Sequence, residues 1–210
     1  MMKNLNAPLA VATAYTYLIH NDMDLIRLEN LKQEVTLARK AKAAEGKTLG
    51  VGSKVIKDYK AALPEMLPFD TFSILLGHML GDGSVEYAPS TNSARMRFEW
   101  ANKEYAWHIY NLLSNYVLTP PRVRSGMTKA GNPKEAHCFN TIMHPSLSTL
   151  HHLFMVNGVK MVPVGLIEHL MSPLALAIWS MDDGQLVNPL PGKGKTLHFH
   201  TGLHQRQSLK

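Results

Sequence analysis

The chain has 210 residues, 45% of them hydrophobic, with 22 Lys and Arg against 16 Asp and Glu, a net charge of +6 and a pI near 9.4. That is enough chain to bury a sizeable core, and enough positive charge to favour a polyanionic partner. The single cysteine, Cys138, excludes an internal disulfide and a thiolate zinc site, and no apolar run approaches the roughly 20 residues that a membrane helix needs.

Residues 1–50 are expected to form a helical extension. Ala7–Ile19 is mildly apolar, but no basic cluster precedes it and no cleavage site follows, which argues against a secretory signal. Asp24–Ala44 is predicted as a helix. Leu25, Leu28, Leu31 and Val35 recur at helical steps, and Arg39, Lys40 and Lys42 suit the negative end of its dipole. Glycines at 46, 50 and 52 break it. A short helix is expected over Lys54–Met66, stopped by Pro64 and Pro68.

Leu75–Gly83, L-L-G-H-M-L-G-D-G, is an apolar helix with Asp70 or Thr71 as its expected cap. It runs into Asp82 and a glycine. Ser84–Tyr87 begins a strand. Ala94–Ala101 is a clear one, with Arg95, Arg97 and Glu99 alternating with Met96, Phe98 and Trp100. One charged face and one apolar face suit an antiparallel sheet with helices on one side only. Lys103–Val117 returns to helical spacing until Pro120 and Pro121. Arg122–Ser125 and Ala136–Thr141 are expected to pair as strands, and Pro145–Val156 to form a helix. A link through Gly158, Lys160 and Pro163 leads to Leu166–Met171. Ser172-Pro173, a cap and a first-turn proline, opens a second apolar helix ending in W-S-M-D-D-G. Gln185–Asn188 and Thr196–Thr201 are the last expected strands. The second motif restarts the pattern of the first, so the chain is predicted to contain a two-copy internal repeat whose second copy stops after one strand pair. The tail Gly192–Lys210 is expected to be loosely held.

Asp82 and Asp183 close the two motif helices, 101 residues apart in the chain. Gly77 and Gly81, four apart on one face, let a second helix approach closely. Packed side by side, the helices bring both aspartates to one place. Two such carboxylates repel unless a cation lies between them. Oxygen ligands suit Mg2+, which serves in-line phosphodiester hydrolysis. The basic stretches supply the rest of a nucleic-acid surface: Arg122, Arg124, Lys129 and Lys134 in one, Lys193 and Lys195 in the other. Arg95 and Arg97 on the charged strand face, and Lys103 just after it, extend the same expected basic surface.

L-L-G-H-M-L-G-D-G and W-S-M-D-D-G resemble the two motifs of the LAGLIDADG homing endonucleases of the monomeric, two-repeat type. G-S-K-V-I-K-D-Y-K (52–60), F-E-W-A-N-K-E-Y (98–105), V-L-T-P-P (117–121) and L-F-M-V-N-G-V-K-M-V-P (153–163) are similar to the mitochondrial omega-intron branch of that family. The resemblance implies an α+β fold of two pseudo-symmetric αββαββα units with antiparallel DNA-binding sheets. Their expected bounds are 51–171 for the first repeat and 172–210 for an incomplete second. It implies catalysis by Asp82, Asp183 and Lys160, and metal ligation by Asp82 and Asp183 with the carbonyls of Gly81 and Asp182. It further implies Mg2+ as cofactor, double-stranded DNA at an intron-insertion site as partner, a monomer, and a mitochondrial origin, with the chloroplast as alternative. Two other roles compete: an RNA-binding intron maturase, and an inactive truncated remnant that only binds DNA.

Overall fold

The computed structural model describes residues 25–128, 131–187 and 196–199. Expectations for 1–24, for Lys129, for Lys193 and Lys195, and for the tail beyond Phe199 lie outside these residues. The N-terminal helices are α1 (Leu25–Ala44) and α2 (Lys54–Ala61). Leu28 and Val35 bury one stripe of α1, whereas Leu25, expected inward, is 58% exposed. Long-range hydrogen bonds strap this pair to the loop after the fourth helix, three of them to backbone carbonyls. Lys32 Nζ donates to Ser114 O (2.7 Å), Tyr59 Oη donates to Asn115 O (2.7 Å), and Arg39 donates to Leu118 O.

Next come α3 (Phe69–Leu80), β1 (Ser84–Ala88), β2 (Ser93–Trp100), α4 (Lys103–Leu112), β3 (Arg122–Met127), β4 (Pro133–Asn140) and α5 (Ser148–Phe154), an αββαββα unit. The four strands form one antiparallel sheet in the order β1-β2-β4-β3. The alternation in β2 sets its two faces. Met96 and Phe98 are buried, while Arg97 and Glu99 are exposed. Residues directly opposite share a face, so the register Arg97↔Asn140, Glu99↔Cys138 and Arg122↔Cys138 carries the polar face across three strands. Beneath the apolar face, Tyr105 of α4 packs edge-on to Trp100, Tyr110 edge-on to Phe139, and His151 of α5 stacks on Tyr87 at 4.3 Å.

Several boundaries differ from expectation. No side chain caps α3. Pro68 holds that position, and Asp70 lies in the first turn instead. The helix expected over Lys103–Val117 ends at Leu112 and continues as a single 3-10 turn, Ser114–Tyr116. The helix expected through Val156 stops at Phe154, because Asn157 and Gly158 both take positive φ (51° and 78°). That pair makes a tight hairpin between β5 (Met155–Val156) and β6 (Val159–Lys160), a turn type that favours Asn-Gly. After α6 (Leu166–Leu170), Ser172 Oγ accepts from Ala175 N at 3.0 Å and opens α7 (Pro173–Asp183) as expected. Strands β7 (Gly184–Val187) and β8 (Thr196–Phe199) pair antiparallel, and Phe199 packs on Trp179 of α7 at 4.3 Å.

Candidate nuclease site and nucleic-acid surface

The site is built on the contact between α3 and α7. A Cβ on Gly77 would lie 2.5 Å from Ala175 O and 2.7 Å from Ile178 Cβ; one on Gly81 would lie 2.7 Å from Asp182 Cβ. Gly77 and Ile178 are counterparts in the two motifs, as are Gly81 and Asp182. Where one helix carries a side chain, the other carries a glycine, and the axes close up. The pairing that follows along the chain is Asp82 with Asp183. Their surroundings differ: Asp82 is exposed in the turn after α3, while Asp183 is the half-buried last residue of α7.

Burial pushes the Asp183 carboxyl above its ordinary pKa, and the negative charges of Asp82 and Asp182 push it further. Lys160 opposes this, as does the nearby buried indole N–H of Trp179. An oxygen-only pair in which the charge of one carboxylate pushes up the other fits a hard divalent cation, which would relieve that repulsion. No cluster of three or more His, Cys, Asp or Glu suited to a metal occurs among the described residues. Held by Asp82 and Asp183, a metal would keep coordination positions for water and phosphate, the usual habit of Mg2+.

The Asn157-Gly158 hairpin delivers Lys160. Its Nζ donates to Gly81 O at 2.6 Å and to Gly83 O at 2.9 Å, bracketing Asp82. Burial lowers its pKa, opposed by the charges of Asp183, Asp82 and Asp182. The Gly81 carbonyl, expected as a metal ligand, thus accepts from an ammonium group and keeps a second lone pair. The Asp182 carboxylate, as distinct from the carbonyl expected as a ligand, is engaged through both oxygens. His78 Nδ1 lies 2.6 Å from its Oδ2, and the Tyr105 hydroxyl donates to its Oδ1 at 2.8 Å. His78 and Asp182 side chains are fully buried. The remaining His78 nitrogen has no hydrogen-bond partner among the described residues, and the imidazole sits against the rings of Phe98 and Trp100. Sequence reasoning missed His78 and Tyr105. The one signal was a histidine inside an otherwise apolar motif helix.

From Asp82 a groove of about 410 Å³ runs over the polar face of the sheet, past Arg97, Glu99, Arg122, Arg124 and Asn140. Arg97, Arg122 and Arg124 of the expected DNA-binding arginines line it, Arg95 lines a neighbouring cavity, and most of the four are tied to carboxylates. Glu86 holds Arg95 at 2.6 Å and Arg97 at 2.7 Å. Glu99 holds Arg124 at 3.1 Å, with Lys134 further off at 3.8 Å. These exposed pairs are weak and exchangeable, so they orient the arginines at little cost. The Arg122 guanidinium has no partner among the described residues. Lys103 is exposed at the start of α4, outside the lining of this groove.

Against known proteins, residues 72–204 match the model of the LAGLIDADG DNA endonuclease family. The chain is 32% identical to a probable intron-encoded endonuclease of Wickerhamomyces canadensis over 77% of its own length and 70% of that protein's. It is 33% identical to the cytochrome b mRNA maturase bI2 of Debaryomyces hansenii, of which it spans half. Among solved structures it resembles the homing endonuclease I-WcaI bound to its DNA recognition sequence, with a TM-score of 0.69, 30% identity, and coverage of 75% of this chain and 70% of that one. With two motif helices packed through a glycine seam, each leading to an aspartate, the chain belongs to the LAGLIDADG DNA endonuclease family.

Proposed function

We propose that the chain is a site-specific double-strand DNA endonuclease that hydrolyses phosphodiester bonds with Mg2+ held by Asp82 and Asp183. The observation that carries this reading is the meeting of the two motif carboxylates at one end of a groove lined by arginines. DNA bound to I-WcaI, to which this chain is similar, supports a duplex as the occupant of that groove. A bound Mg2+ would polarise the phosphate and acidify a water. The chain's own residues do the rest. Arg122 and Arg124 hold the duplex on the sheet. Lys160 fixes the turn around Asp82 through two carbonyls and brings a positive charge beside the two aspartates. The His78–Asp182–Tyr105 contacts anchor the last turn of α7, so that Asp183 is presented from a rigid helix end. The match to cytochrome b maturases favours a mitochondrial origin and a second reading, in which the protein binds its host intron RNA.

The test is to incubate the protein and Mg2+ with DNA that carries the uninterrupted host gene, and to map the ends. Cutting at a single position that coincides with an intron-insertion site is expected. Cutting at many unrelated positions would contradict site-specific cleavage. Tight binding of the intron transcript with no cutting of DNA would favour the maturase reading.

A further inference from the structure

A second cavity, of about 510 Å³, lies where α1 and α2 meet the end of the sheet. Ligand pockets commonly have this size. Its cations come from four separate elements: Arg39 of α1, Lys60 of α2, Arg95 of β2 and Arg122 of β3. No carboxylate lines it, and Ile56, Leu118 and Ile142 give it an apolar floor. Two of the cations are already occupied, Arg39 with Leu118 O and the Thr119 hydroxyl, and Arg95 with Glu86. The Lys60 ammonium and the Arg122 guanidinium have no partner among the described residues. Lys60 is half-buried, and burial lowers its pKa. A cation partly stripped of water and lacking a counter-ion is stabilised by an arriving anion. Arg122, Cys138 and Asn140 line both this cavity and the groove that starts at Asp82, so the two run together along the polar face.

We propose that this cavity is a backbone subsite, in which Lys60 and Arg122 each hold a phosphate of the DNA strand that leaves the Asp82 groove. The proposal rests on the reading of that groove as a DNA interface. Continuity with the groove selects a nucleic-acid backbone over a free anion. Arg39 and Lys60 both precede residues 72–204, the stretch that matches the family model. The N-terminal helices thereby gain a part in DNA binding, beyond covering the core.

The experiment is a salt titration of binding to a random-sequence duplex, because phosphate contacts do not depend on sequence. Each phosphate contact contributes about 0.9 to the slope of log affinity against log salt. Lys60→Ala should lower the slope by about that amount, Lys60→Glu by at least as much, and Lys60→Arg should preserve it. Unchanged slopes in both Lys60→Ala and Lys60→Glu, with circular dichroism as wild type, would overturn the subsite. So would Lys60-dependent binding of inorganic phosphate with no effect of Lys60→Ala on the duplex slope, since the cavity would then be a free-anion site. Arg122→Ala separates the two levels. If it lowers the slope and Lys60→Ala does not, the groove reading stands and the subsite falls. If the wild type shows no salt-dependent duplex binding, both fall.

Discussion

Asp183 shows how the residue scale shapes the chemistry. Burial and the nearby Asp82 raise its pKa, so the folded protein binds this proton more tightly than the unfolded chain does. Ionising Asp183 therefore costs stability. That cost is absent below the unfolded pKa and fully present above the raised folded one. As pH falls through the folded value, the fold is relieved while Asp183 loses its metal-binding form. Removing the charge of Asp82 removes the second-largest cause. Asp82→Asn is thus expected to lower the Asp183 titration midpoint, read from its carboxyl carbon shift by NMR; an unchanged midpoint would mean that the two carboxylates are not coupled. The aspartates themselves were legible, because each closes an apolar helix with a glycine after it. The partners of Asp182 were not. His78 lies 104 residues away in the chain and Tyr105 lies 77 away, and no local pattern links such positions. The clamps of Glu86 on Arg95 and Arg97 do follow from the hairpin, since Ser84↔Arg97 and Glu86↔Arg95 share the polar face.

At the scale of elements, the α3–α7 seam decides whether the aspartates meet at all. A Cβ at Gly77 would meet both a backbone carbonyl and the Ile178 side chain, and only the side chain can give way. Gly77→Ala is expected to destabilise the protein by about 1–3 kcal/mol in urea denaturation, as overpacking usually does. Adding Ile178→Ala should not relieve the clash with Ala175 O, so at most partial rescue is expected. Full stability in Gly77→Ala would mean that the helices do not approach this closely. The glycine spacing made the seam legible in the sequence. The β5–β6 hairpin was not recognised, although Asn157-Gly158 is a strong turn signal, because the apolar residues before it continue the helical period of α5. That matters for the site, because the hairpin is what brings Lys160 to Asp82.

Across the whole molecule, the charged and apolar faces of β2 foretold one wet sheet face, and the strand order then extended it into a groove ending at Asp82. The placement of the N-terminal helices was not legible, because it depends on hydrogen bonds from Lys32, Arg39 and Tyr59 to backbone carbonyls, which leave no trace in side-chain patterning. Placement on the sheet and chemistry at the aspartates are separable in this architecture. The most direct measurement scores duplex binding and cutting of the mapped insertion site together, with and without Mg2+, for the wild type, Asp82→Asn and Asp183→Asn. The account predicts that all three bind, that only the wild type cuts, and that it cuts only with the metal. Undiminished cutting by Asp82→Asn, or by the wild type without a divalent cation, would contradict it.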